Sequence, residues 1–244
     1  MPGDVSTPAG VNRALCWAAL GLGVTAVTYG AVAAAAWYRY GHAAAPRPDE
    51  ADPALDDFMP TYEVAERHHV RVLAPADATM QAARAMRLRD SAIVSAIFRA
   101  RELVLSADPA SPAEPAGLLD QMQALGWRTL HEEPGREIVM GAVTQPWHAN
   151  VVFQGLSPEH FKAFQEPGYV KIAWTLKVEP IGASESIFRT ETRVVATDPD
   201  ARWRFRWYWA RFSPGIVLIR HMMLRQVRRD AERLALLPAP PRPA

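Results

Sequence analysis

Residues 63–80 read EVAERHHVRVLAPADATM. The first half alternates with period two, as a half-buried strand does, and the second half has the pattern of a helix. Pro75 separates them: it offers no N–H to a sheet, and Asp77 can cap a helix from about Ala78. The strand is expected over Tyr62–Leu73. Alternation puts Val64, Glu66, His68, Val70 and Val72 on one face, and Glu63, Ala65, Arg67, His69 and Arg71 on the other. The second face reads as the wet one, with His69 in solvent. Glu66 and His68 share the valine face. A carboxylate buried beside a histidine is a candidate acid/base couple. The structural alternatives are mutual pairing, pairing with a nearby arginine, or a place at the open end of the strand.

Downstream, ATMQAARAM continues the helix, and DSAIVSAIFRARELVL (residues 90–105) carries Ile93, Ile97 and Val104 at helix spacing. After a Pro-rich loop, LLDQMQAL is a short helix stopped by Gly126. The period then switches to two. GWRTLHEE and REIVMGAVT flank a PG turn, and WHANVVFQGL is a short strand candidate. SPEHFKAF reads as a helical turn with Ser157 as N-cap and Pro158 at N1. In GYVKIAWTLKVEP, Val170, Ile172, Trp174, Leu176 and Val178 point one way, and Lys171 and Lys177 the other. SIFRTETRVVATD pairs with it across IGAS. Phe188, Thr190, Thr192, Val194 and Ala196 share a face, and Arg189, Glu191 and Arg193 form an opposite charge ladder expected to face water. A long helical region closes the chain, with an apolar stripe of Phe205, Trp209, Phe212, Ile216, Ile219 and Met223. Ser213-Pro214 predicts a kink or two abutting helices there.

The 244 residues suit one medium domain with accessory segments. A single cysteine, Cys16, permits no intrachain disulfide and leaves the redox compartment unread. No Cys/His spacing suits zinc, and no Walker loop, dinucleotide turn or nucleophile elbow is present, so neither a metal nor a cofactor is expected. From Ala14 to Tyr38 no residue is charged. As a helix this run would be about 37 Å long, enough to cross a hydrocarbon core of about 30 Å. Trp17 at one end and Trp37, Tyr38 and Tyr40 at the other would form the interfacial belt. A retained single-pass anchor within residues 1–42 is therefore expected. A cleaved signal peptide and a buried Ala-rich helix are the alternatives. Arg13 before the span, against Arg39 and Arg47 after it, tilts the domain toward the cytoplasmic side. Residues 43–60, rich in Pro, Ala and acids, read as a solvated linker, residues 61–237 as the folded domain, and residues 238–244 as a disordered Pro-rich tail.

Two segments, VRVLAPADATMQAARAM and TETRVVATDPDARWRFRWYW, resemble the opening strand–Pro–helix and the last strand running into the closing helix of the START-like (SRPBCC) superfamily, which includes polyketide cyclase/dehydrase-like members. The resemblance covers about residues 61–237 and implies an α+β helix-grip fold. In that fold a curved antiparallel β-sheet wraps around a long C-terminal helix, and a cavity between them holds lipids or other apolar molecules.

On that expectation, Trp174, Phe188, Thr190, Thr192 and Trp209 are the candidate ligand-binding residues. The aromatics would serve as wall, and the threonines as the few polar groups that orient a mainly apolar ligand. The threonines are also plain strand formers, and Trp174 reads equally as core. Trp147 is a candidate for the cavity rim. Arg202, Arg204, Arg206, Arg211, Arg220, Arg225, Arg228, Arg229 and Arg233 make the closing helix basic. Anionic headgroups suit such a surface beside an anchor better than nucleic acid does, and a solvated helix face is the plain alternative. Three functions stay open: binding of a hydrophobic small molecule or lipid at a membrane, a cyclase/dehydratase-like enzyme using Glu66 and His68, and a filled scaffold without a ligand.

Overall fold

A computed structural model describes residues 23, 27–87 and 117–236. The expected helix over 90–105, the tail and most of the expected span therefore lie outside the described residues.

One antiparallel sheet organises the protein. Its strands are β1 (Val64–Val72), β2 (Arg128–Glu133), β3 (Glu137–Thr144), β4 (Phe153–Gln154), β5 (Val170–Gly182) and β6 (Glu185–Ala196), in the order β1-β6-β5-β3-β2, with β4 extending the β3 edge. Among the described residues after residue 52 the helices are α1 (Pro53–Phe58), α2 (Ala76–Ala85), α3 (Leu118–Ala124), α4 (Pro158–Ala163) and α5 (Pro199–Ala235). Gly135 sits at φ +75° in the β2–β3 turn, a left-handed conformation natural to glycine.

Register fixes which side chains share a face. In the β1–β6 pair, Glu66 lies opposite Thr192 and His68 opposite Thr190. In the β5–β6 pair, Trp174 lies opposite Thr192. This inner face receives α5, whose Phe205, Trp209, Met223, Leu224 and Val227 are buried. Asp198 caps α5, accepting from the N–H groups of Asp200 and Ala201, with Pro199 in the first turn. The sheet gripping this long C-terminal helix is the helix-grip arrangement.

Four sequence expectations change. First, α5 runs through Pro214 as one 37-residue helix, so Ser213 is a buried mid-helix residue and not a cap. The proline removes one donor, but the helix is held on both sides of it by packing on the sheet and α2. Second, residues 43–60 are not a plain solvated linker: a 3-10 turn at Pro48–Glu50 leads into α1, and Leu55, Phe58 and Met59 are buried against the outer face of the sheet. Third, that outer face is consequently not wet. Arg193 is fully buried, and α4 covers a second part of the face with Phe161. Its charges survive burial by pairing: Arg193 with Glu191 and Asp56, and Arg67 with Glu191. His69, by contrast, is exposed as expected.

The fourth change concerns the expected interfacial belt. Among the described residues no helix is long and apolar enough to cross a membrane. Residues 27–39 are helical. Two of the expected belt aromatics meet protein: Trp37 packs against Trp207 with the rings tilted and their centroids 4.6 Å apart, and Tyr40 is buried, donating to Glu63 at 2.7 Å. Tyr38 is exposed.

Candidate functional site

A cavity of about 240 Å³ lies between α5 and the inner face of the sheet. Helical spacing brings Phe205, Trp209, Ile216, Ile219, Arg220 and Met223 to one side of α5. Strand alternation brings Ile172, Trp174, Thr192 and Val194 up from β5 and β6. Leu118, Met122, Trp127 and Phe153 close the far wall. The lining is dominated by aromatic and aliphatic side chains with a few polar groups, the usual make-up of a small-molecule site.

The polar groups are arranged in sequence. Arg220 donates from Nη1 to Thr190 Oγ1 at 2.8 Å and from Nη2 to Thr192 Oγ1. Enclosure between helix and sheet strips water from its guanidinium and pushes its pKa down to about 10, with the negative charge of Glu66 opposing the shift. Among the described residues no carboxylate comes within ion-pair distance of Arg220. Beyond Thr192 lies Trp174, and Trp174 meets Trp127 edge to face at a centroid distance of 6.3 Å. Both indoles are buried, and neither Nε1–H has a hydrogen-bond partner among the described residues. A buried donor left unpaired costs about 1–3 kcal/mol, so two together in a cavity wall are notable.

The sequence-derived candidates separate into groups. Trp174, Thr192 and Trp209 line the cavity. Thr190 stands behind the lining and anchors Arg220. Phe188 is fully buried in the main core and forms no part of the lining. Pro146 lines the cavity, whereas Trp147 packs against the cluster around Tyr40 and Trp209. Glu66 and His68 do come together, His68 Nε2 lying 3.5 Å from Glu66 Oε2. The His68 ring also contacts His221 of α5 at 5.0 Å between centroids. This group lies beside Arg220, outside the cavity lining.

Sequence reasoning missed Arg220 and Trp127 as site residues. The signal for Arg220 was its place on α5, four residues after Ile216 and three before Met223, in the middle of the apolar stripe. For Trp127 no signal set it apart from any strand aromatic.

No protein-family model matches the chain, and no curated protein matches it. Solved structures give loose likenesses. The two-domain aromatase/cyclase BexL of the BE-7585A biosynthetic pathway aligns at 14% identity and TM-score 0.34 over 71% of this chain, which spans 48% of that one. Norcoclaurine synthase of Thalictrum flavum aligns at 11% identity and TM-score 0.34, covering 70% of this chain and 95% of that one. The hypothetical protein jhp0584 of Helicobacter pylori aligns at 8% identity and TM-score 0.37, covering 77% of this chain and 96% of that one. Likenesses of this strength assign no family, and the classification rests on the chain's own sheet and helix: an α+β protein of helix-grip architecture.

Proposed function

We propose that this protein binds a mainly apolar small molecule in the cavity between sheet and helix. The observation that carries this reading is the open volume walled by Trp127, Trp174, Trp209, Phe153, Phe205 and Met223, where a filled scaffold would have interdigitated side chains. Each 100 Å² of apolar ligand surface removed from water would contribute about 2.5 kcal/mol before the costs of association. The enzymatic reading has less support, because Glu66 and His68 stand outside the lining.

Titration of the full chain with the neutral dye N-phenyl-1-naphthylamine tests the proposal. A saturable 1:1 rise in dye fluorescence with quenching of tryptophan emission is expected. No saturable binding would sink it. Native mass spectrometry of the purified protein would then identify any co-purifying metabolite. A tether at a membrane, with the domain on the cytoplasmic side and arginines near anionic headgroups, is proposed from the uncharged run of residues 14–38. Release of the full-length chain by carbonate extraction would contradict it.

A further inference from the structure

We propose that the cavity takes an apolar molecule bearing an anionic oxygen head, a carboxylate or an equivalent oxyanion, seated against Arg220 and the Thr192 hydroxyl. The inference rests on the ligand-binding reading above and names the chemical class of its ligand.

The donor and acceptor inventory is one-sided. Arginine and tryptophan only donate, and the Thr192 hydroxyl already accepts from Arg220, which leaves its own proton to give. Arg220, Thr192, Trp174 and Trp127 follow one another along the wall, through the Arg220–Thr192 hydrogen bond, the Thr192–Trp174 register and the Trp174–Trp127 ring contact. A ligand that satisfied Arg220 and Thr192 must accept hydrogen bonds.

Charge narrows the class. Arg220 is held by two neutral hydroxyls, and Glu66 acts on it without an ion-pair contact among the described residues. A half-buried cation without a contact anion is unfavourable, a state that an incoming carboxylate would relieve. The same partial loss of water, with no contact anion to offset it, lowers the pKa of Arg220. Its guanidinium stays charged at neutral pH. Apart from the Tyr208 hydroxyl and the Trp209 indole, the remaining lining, Ile172, Ile219, Met223 and Phe153 among it, offers apolar contact, so the ligand body is mainly apolar.

Calorimetric titration of the full chain with 2-naphthoate and with its neutral counterpart 2-naphthalenemethanol tests this. The carboxylate is expected to bind about tenfold or more tightly than the alcohol. Arg220→Met should erase the preference by weakening naphthoate far more than naphthalenemethanol. Equal affinities in the wild-type protein would overturn the head-group inference while leaving the cavity reading intact. Retention of the preference in folded Arg220→Met would do the same. If Arg220→Met does not fold, Arg220→Lys serves: a point charge without the guanidinium fork should keep part of the preference, and an unchanged preference would overturn the role of the fork. If neither naphthyl probe nor the neutral dye binds, the cavity reading falls and this inference with it. If the dye binds and neither naphthyl probe does, the head-group inference alone falls.

Discussion

The guanidinium of Arg193, on the outer face of β6, donates from Nη1 to Asp56 Oδ1 of α1 at 2.5 Å. The same group reaches Glu191 at 2.8 Å and the Met59 carbonyl at 2.9 Å, and lies 4.6 Å from the centre of the Tyr62 ring. A side chain expected to face water is thus the pin that fastens α1 to the sheet. Arg193→Met removes the cation, leaves Asp56 and the Met59 carbonyl without it, and leaves Glu191 with Arg67 alone. Breaking a buried pair from one side costs about 3 kcal/mol or more, so urea unfolding should show a loss of that order. A loss within about 0.5 kcal/mol, usual for a surface position, would mean that the face is solvated after all.

Leu55 tests the same docking by packing alone. Its side chain is fully buried among Phe58, Met59 and Phe161 although it lies in a Pro- and acid-rich stretch. Leu55→Ala should cost about 2–4 kcal/mol and make residues 43–60 more open to protease. A variant as stable and as resistant as wild type would restore the reading of this stretch as a linker.

These residues show what the sequence could and could not disclose. The strand–Pro–helix switch at Pro75 was legible because strand and helix periods differ and proline marks their boundary. The β5–β6 hairpin was legible for the same reason, and its alternation correctly divided Trp174 from Lys171 and Lys177. Alternation separates two faces, however, and does not say whether something covers the second. The cover here is α1, six residues long, too short for a helical period to appear, with its acids drawing attention away from Leu55 and Phe58. The site was half legible. Trp174, Thr192 and Trp209 follow from which face is inner. Arg220 was hidden among many arginines of the same helix, and the missing partners of Trp127 and Trp174 depend on strands far apart in the chain.

Glu137 carries a prediction about pH. Burial, together with the nearby carboxylate of Asp52, pushes its pKa up to about 7, against the pull of Lys177. The folded protein therefore holds a proton that the unfolded chain releases near pH 4.5. The stability this group contributes is complete below about pH 4.5 and is lost as pH rises through about 7. Glu137→Gln mimics the protonated form permanently. Its advantage over wild type should be absent near pH 4 and grow to the order of 2 kcal/mol by pH 8, read from urea unfolding at each pH. An advantage that is constant across that range would place the coupled proton elsewhere.

Filling the cavity from α5 separates its two possible roles. Ile219 faces the open volume and packs at the edge of the main core. Ile219→Trp would extend an indole into space that is already empty, so the usual overpacking penalty of about 1–3 kcal/mol should be largely avoided. Dye and naphthyl binding should then fall at least tenfold while thermal unfolding stays near that of wild type. If binding persists in the filled variant, the ligands occupy a different surface. If the variant is instead destabilised by the full overpacking amount, the volume closes in solution, and a packed scaffold becomes the better description of this helix and sheet.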